Sequence, residues 1–210
     1  MLIIGICGAS GSGKSTLARR VAETLPCKTL VLGQDCYYKS FSAMNMEEHL
    51  TVNFDEPSIF DHDALLEDVI QLNNGHPITT KTYDYTRSVR VDKPDLIQPP
   101  DVLLLEGIHM FYDKRLLEMM TLKVYLQVDA DICLLRRIKR DIKQRGRSID
   151  NIAKQYLDTV KPMFEKYISK YIEDADFTVM RGGKNQAAID AISSYMVLRL
   201  KTEGNKGMEK

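Results

Sequence analysis

The sequence predicts an α/β fold: a mainly parallel β-sheet flanked by helices, with a small β-hairpin insertion and an arginine-rich helical lid. Three observations carry this expectation. First, the apolar run Leu2-Ile3-Ile4-Gly5-Ile6-Cys7 passes through Gly8-Ala9-Ser10-Gly11-Ser12-Gly13-Lys14-Ser15 into Thr16–Ala22, whose spacing is helical. Second, Val102-Leu103-Leu104-Leu105 precedes Glu106 and Gly107, the pattern of a strand buried on both faces that delivers a carboxylate to its end. Third, strand-like and helix-like segments alternate over the rest of the chain, which is how parallel sheets are connected.

The elements follow in order. Thr29-Leu30-Val31-Leu32 reads as a second buried strand ending at Gly33-Gln34-Asp35. Residues 40–57 look irregular, and Pro57 disfavours helix at Glu56. Leu65, Leu66, Val69 and Ile70 mark a helix capped by Asp61 and stopped at Asn74-Gly75. From about 77 to 100 the β-branched and aromatic residues of Ile78–Tyr85 and the alternation of Val89–Asp92 predict the hairpin, closed by Pro99-Pro100. Its aromatics either cover core or grip a planar ligand. Leu122–Val128 is another strand, and Asp129-Ala130-Asp131 caps a helix with Leu134, Leu135, Ile138 and Ile142 on one face. Helices interrupted at Pro162, a short strand over Asp176–Met180, a turn at Arg181-Gly182-Gly183 and a closing helix over Ala187–Leu200 complete the fold.

Length and composition bound the answer. A chain of 210 residues is expected to form one domain, here 1–201, with 202–210 as a disordered tail. Hydrophobic content of 44% and charged content of 28% suit a soluble globular protein. Formal net charge is zero, so neither nucleic acid nor membrane is an expected partner. Cys7, Cys27, Cys36 and Cys133 are scattered, which argues for reduced thiols in a cytoplasmic setting over a disulfide framework or zinc site. The first strand begins at once, so no leader peptide is expected, and no apolar stretch approaches the ~20 residues that cross a bilayer.

The glycine-rich turn matches G-x-x-x-x-G-K-[ST] in the strand–turn–helix context this motif requires. Glycines let successive N–H groups point inward at phosphate oxygens, and the positive end of the following helix adds to that field. Gly8 to Ser15, with Thr16, are therefore candidate ATP-binding residues. Lys14 would reach the β/γ-phosphates, and the Ser15 hydroxyl would hold Mg²⁺. A dinucleotide fingerprint cannot be placed here. Asp35 lies at a strand end on the same rim. Taken alone it reads equally well as a turn residue, but the neighbouring triphosphate site favours a chemical role. Glu106, at the end of its buried strand, is a candidate Mg²⁺ ligand. Arg136, Arg137, Lys139, Arg140 and Lys143 are followed by Arg145-Gly146-Arg147. Such a helix is either a solvated face, a nucleic-acid surface or a lid over about 136–150 whose cations neutralise a transferring phosphoryl group.

The whole motif set closely resembles the uridine kinase (uridine–cytidine kinase) family of P-loop nucleoside kinases. The resemblance runs from Ile3 to about Ile192. It rests on Gly8–Ser15, Gln34-Asp35-Cys36-Tyr37-Tyr38, Asn53-Phe54-Asp55-Glu56-Pro57, Tyr83-Asp84-Tyr85, Leu105-Glu106-Gly107-Ile108, Arg136–Asp141, Arg145-Gly146-Arg147, Gln155-Tyr156, Val160–Phe164 and Arg181–Asn185. It implies ATP-dependent (or GTP-dependent) phosphorylation of the 5′-hydroxyl of uridine or cytidine in pyrimidine salvage, with Asp35 as the base and Lys14 and Arg137 as its catalytic companions. Ser15, Glu106 and Asp35 would form the Mg²⁺ shell. Asp55, Arg137 and Gln155 would bind the ribose hydroxyls, and Arg140 and Arg145 the ATP phosphates. Tyr38, Phe54, Tyr83, Tyr85, Ile108 and Arg147 would wall the nucleoside pocket. In many members the hairpin carries a histidine against the pyrimidine edge. Ser88 stands there instead, a shorter group that donates or accepts one bond, which leaves the base preference open. The resemblance also implies a homo-oligomer, a tetramer. Other P-loop small-metabolite kinases (phosphoribulokinase-like, pantothenate kinase-like, nicotinamide riboside kinase-like) are the nearest alternative. A nucleotide-dependent regulator is a more distant one, and the N-K-x-D motif of a GTPase is missing.

Overall fold

The structure, a computed structural model, describes residues 1–40, 52–84 and 89–206, with side chains through 202. Its centre is a five-stranded sheet of β1 (Leu2–Gly8), β2 (Thr29–Gly33), β5 (Val102–Gly107), β6 (Leu122–Gln127) and β7 (Phe177–Met180). The spatial order is β2-β5-β1-β6-β7 and every neighbouring pair is parallel. β1 is buried along its whole length, so its sequence reads as a continuous apolar run without alternation. Successive side chains still go to opposite faces. Ile3, Cys7, Leu103 and Leu105 join one core with Tyr37, Phe60, Phe111 and Tyr171. Leu2, Ile4, Ile6 and Leu104 join another with helix α1 (Lys14–Thr24) through Leu17, Ala18 and Val21. The closing helix α7 (Gln186–Lys206) supplies Ile189, Ile192 and Met196 to that second core. Each such fully buried side chain contributes about 1.5–3 kcal/mol.

The hairpin is real and stands apart from the main sheet. Strands β3 (Ile78–Asp84) and β4 (Val89–Ile97) pair antiparallel. Thr79 pairs with Leu96 but Thr80 with Lys93, so Pro94 and Asp95 form a bulge. That places the residue lacking an N–H donor outside the ladder. A two-stranded sheet is marginal alone. This one is anchored by Lys81, which together with the Tyr37 hydroxyl donates to Asp68 on helix α2 (His62–Asn73), and by Arg90, 3.3 Å from Asp61. Asp61 also caps α2 as expected, accepting from the Ala64 N–H at 3.1 Å.

Four expectations need correction. The short helix α3 (Lys114–Glu118) precedes β6, and α4 (Ala130–Arg145) follows it. Asp129 occupies the N-cap of α4 without a side-chain cap, while the Asp131 carboxylate accepts from the Ile132 N–H at 2.8 Å. Second, the expected apolar face of α4 turns inward only in part, Leu134 and Ile138 being half-buried. Leu135 is 54% and Ile142 46% exposed, and the buried positions are Cys133, Arg137 and Asp141. This helix turns toward a polar cleft, where ion pairs as well as apolar contacts fill the inner side. Third, Pro162 does not break the chain between helices. Helix α5 (Ile149–Gln155), capped by Ser148, runs through a π turn at Tyr156–Val160 into α6 (Lys161–Lys166). Pro162 is the second residue of α6, directly after the π turn. A 3₁₀ segment, Ile168–Asp174, leads to β7. At the other end, α7 continues to Lys206, so residues 202–206 of the expected tail are helical and 207–210 lie outside the described residues.

Candidate active site

The sheet delivers three segments to one rim. β1 ends at Gly8, and Gly11 then takes φ +85°, where an added Cβ would lie 2.3 Å from the Cys133 carbonyl oxygen. Only glycine lets the loop pass this close to α4. Lys14 opens α1 and turns back, its ammonium donating to the Ala9 carbonyl at 2.9 Å. Burial lowers the pKa of this lysine, and the Glu106 carboxylate opposes that shift. On β5, Glu106 pairs in register with Ile6 of β1 and Gly33 of β2. Its Oε1 accepts from the Ser15 hydroxyl at 2.8 Å. Burial pushes the Glu106 carboxyl upward, with Lys14 pulling the other way and Asp35 adding to the rise. Among the described residues no group of three or more His, Cys, Asp or Glu gathers as a metal cage. A hydroxyl beside one carboxylate at a phosphate loop is the donor set that magnesium takes, since it completes its shell with phosphate oxygens and water.

Asp35 sits in a 3₁₀ turn, Gln34–Tyr37, that continues directly from β2. The turn is held by Gln34, whose buried Oε1 accepts the His109 backbone N–H at 2.9 Å. Gly107 makes room for it, because a Cβ there would lie 2.3 Å from that Oε1. His109 is fully buried. Its Nε2 lies 2.7 Å from the Asp55 carbonyl and its Nδ1 3.0 Å from the Tyr171 hydroxyl. A carbonyl only accepts, so Nε2 carries the proton and Nδ1 accepts from Tyr171. Burial drives this imidazole down to about 4, so it is neutral.

The other half of the cleft is aromatic and charged. Tyr38 stacks on Phe60 at 4.4 Å and meets Phe54 edge-on at 6.0 Å and Tyr83 at 4.9 Å. Asp55, 5% exposed, accepts from the Thr159 hydroxyl at 3.0 Å and faces Arg137 at 3.9 Å. Burial raises its carboxyl pKa, and Arg137 and Thr159 offset part of the rise. Arg137, also 5% exposed, donates to Ser10 Oγ at 3.0 Å and to Gln155 Oε1 at 2.9 Å, and Arg147 donates to the same Gln155 oxygen. Behind these, the fully buried Asp141 accepts from Arg140 Nε at 2.8 Å and lies 3.6 Å from both Arg137 Nε and Arg145 Nη1. Burial alone would raise the Asp141 carboxyl, but the three guanidinium groups outweigh it and hold it below the usual range. Ser10, Lys14, Ser15, Asp35, Glu106 and the arginines of α4 thus surround one cleft of about 450 Å³.

Residues 3–188 match the model of the Phosphoribulokinase / Uridine kinase family. The chain belongs to this family. The uridine kinase of Vibrio atlanticus is 41% identical over 206 residues, covering 96% of this chain and 97% of that protein. The uridine kinase of Staphylococcus haemolyticus is 42% identical over 193 residues, covering 91% and 93%. The solved phosphoribulokinase from Rhodobacter spheroides shares the fold with a TM-score of 0.59 at 14% identity, over 85% of this chain and 69% of that one.

In this member of the phosphoribulokinase/uridine kinase family, most sequence-predicted residues meet on the cleft. Ser10, Gly11, Gly13, Lys14, Ser15 and Thr16 line it together with Glu106, Arg140 and Arg145. Asp35, Tyr38, Phe54, Asp55, Tyr83, Ile108, Arg137, Arg147 and Gln155 line the rest. Gly8, Ala9 and Ser12 form the back of the loop: Gly8 ends β1, the Ala9 carbonyl engages Lys14, and Ser12 is buried. Tyr85 and Ser88 lie outside the described residues. Sequence reasoning missed Arg19 and Gln144 on the cleft wall and His109 and Thr159 behind it; it named Arg136 only as a lid cation, and Gln34 and Asp141 only within motifs, without a role of their own. A signal existed for two of them. Arg19 is four residues from Ser15 on one helix, and Asp141 is four from Arg137.

Proposed function

We propose that the protein phosphorylates the 5′-hydroxyl of a pyrimidine ribonucleoside, uridine or cytidine, using ATP or GTP with Mg²⁺. The observation that carries this reading is the convergence on one cleft of the Ser15–Glu106 pair at the phosphate loop and, facing it, Asp35 with the Asp55–Arg137–Gln155 group. The first suits a nucleotide and the second a polar acceptor such as a ribose. The names of the curated relatives support uridine as that acceptor.

On this reading the loop N–H groups and Lys14 cradle the triphosphate, and Tyr38, Phe54 and Tyr83 contact the base. Asp55, Arg137 and Gln155 pair with the ribose hydroxyls, so a deoxynucleoside leaves buried polar groups unpaired. Asp35 orients the 5′-hydroxyl and accepts its proton as the oxygen bonds to the γ-phosphorus. The bond to the β,γ-bridging oxygen breaks and the nucleoside diphosphate leaves. Lys14, Arg137, Arg140 and Arg145 offset charge on the transferring group. Ser15 and Glu106, with Asp35 nearby, would hold Mg²⁺, which when bound neutralises phosphate charge. We further assign the chain through the end of α7 to one unit, with the hairpin at about 77–100 and the lid at about 136–150, in a cytoplasmic homotetramer. Among the described residues no helix is long and apolar enough to cross a membrane.

The test is a competition assay with ATP and equal uridine, cytidine and nicotinamide riboside, products resolved by mass. Dominant UMP or CMP supports the proposal. Trace pyrimidine nucleotide beside another phosphorylated acceptor would assign the chain to a different small-metabolite kinase. Binding of RNA without any nucleoside phosphorylation would favour the regulator.

A further inference from the structure

We infer that Thr159 is a positioning residue for acceptor recognition: its hydroxyl, presented by the π turn, aims the Asp55 carboxylate at the sugar. The inference rests on the reading of Asp55 as a ribose-binding group.

The inward residues of the lid-side helices are Ile152, Tyr156, Val160, Phe164 and Ile168, all buried or half-buried and spaced by four. An α-helix turns once in 3.6 residues, so a strict four-residue spacing drifts about 40° per step. The π turn at Tyr156–Val160 takes up this drift with one wider turn, marked by the Lys161 N–H bonding to the Tyr156 carbonyl. Gln155 and Thr159 thereby both face the cleft side. Gln155 accepts from Arg137 and Arg147, and Thr159 lies 3.0 Å from Asp55 Oδ2, across 104 residues of sequence.

The Thr159 hydroxyl has a single proton and two acceptors at 3.0 Å, Asp55 Oδ2 and the Gln155 carbonyl. The carboxylate is the stronger acceptor. Arg137 stands 3.9 Å from the other carboxylate oxygen, beyond hydrogen-bond reach. The Asp55 backbone is fixed separately, its carbonyl by His109 and its N–H by the Asn53 side chain at 3.0 Å. Thr159 therefore governs the carboxylate's rotation while the main chain stays fixed. With Oδ2 occupied by Thr159, Oδ1 is left toward the cleft and Arg137. This assigns Thr159 a part in discrimination among sugars and none in nucleotide binding, because it touches neither the phosphate loop nor the lid arginines.

The experiment compares wild type, Thr159→Val and Thr159→Ser in steady-state assays with ATP and uridine, 2′-deoxyuridine or 3′-deoxyuridine. For Thr159→Val we expect KM for uridine to rise about tenfold, the size of one net hydrogen bond, with KM for ATP unchanged within about twofold. The preference for uridine over at least one deoxy analogue should fall by a similar factor, and Thr159→Ser should restore both. Thr159→Ala serves as the second hydroxyl-free variant if the valine protein does not fold. Equal changes in both KM values, or an unaltered preference among the sugars, would overturn the inference. Wild type without turnover of any pyrimidine ribonucleoside would overturn the underlying reading of Asp55, a separate and recognisable outcome.

Discussion

The Ser15 hydroxyl donates to Glu106 Oε1 at 2.8 Å across 91 residues of sequence. The two strongest chemical signals in the chain, a phosphate loop and an acid-ended buried strand, are thus brought into direct contact. The parallel register of β1 and β5 does this by setting Ile6 opposite Glu106.

Glu106→Gln tests the charge of that pair. The amide oxygen can still accept from Ser15, so packing is retained while the negative charge is lost. We expect kcat to fall about 10²–10³-fold, the scale of losing one charge-stabilising group at a reaction centre. The Mg²⁺ concentration for half-maximal rate should rise, and the thermal midpoint should move little. An unchanged magnesium requirement would remove Glu106 from the metal site.

Asp141→Asn tests the arginine cluster. Arg137 and Arg140 both present Nε to this carboxylate, which leaves their Nη groups available to other partners. The substitution should cost about 1.5–3 kcal/mol in urea unfolding, the range for hydrogen bonds to charged groups. It should also lower kcat/KM for ATP about tenfold or more through misaligned guanidinium groups. Loss of stability with full kcat/KM would limit Asp141 to a packing role.

Gly107→Ala tests the fit behind Asp35. The new methyl would lie 2.3 Å from Gln34 Oε1 in a strand buried at every position but Glu106. Overpacking of this kind costs roughly 1–3 kcal/mol. Displacement of Gln34 would also loosen the turn carrying Asp35, so we expect lower kcat together with lower stability, read by activity and urea unfolding on the same sample.

His109 makes stability pH-dependent in a known direction. Its folded pKa is held at about 4, below the ordinary 6.5, so the unfolded chain takes up the proton first as pH falls. The contribution is fully present above pH 6.5 and is lost progressively between 6.5 and about 4. It amounts to about 3 kcal/mol by the lower limit. Urea unfolding of His109→Gln, which cannot charge, should show a correspondingly shallower acid dependence than wild type. Parallel curves would show that His109 does not carry this effect.

Much of this architecture was legible because its signals are local. The phosphate loop, the strand ending in Glu106, the Asp61 cap and the hairpin all declare themselves within short stretches of the chain, and each formed where expected. Helix α4 was misread for a physical reason. Amphipathic patterning assumes that the inner face is apolar, whereas Arg137 and Asp141 are buried here by pairing with each other and with neighbouring charges. Pro162 suggested an interruption because a π turn has no simple residue signature, although the four-residue spacing from Ile152 to Ile168 was present. Gln34, His109 and Thr159 act through partners 75, 54 and 104 residues away, which no window along the chain can register.

The most direct test of the two-substrate cleft is Asp35→Ala, assayed for uridine phosphorylation and, separately, for ATP binding by calorimetry. Asp35 projects into the cleft from the turn after β2 and forms no part of the phosphate loop. We expect turnover to fall at least about 10²–10⁴-fold, the range for a lost general base, with ATP affinity within a few-fold of wild type. Near-normal turnover in the alanine variant would contradict the role given to Asp35 and with it the proposed division of the cleft.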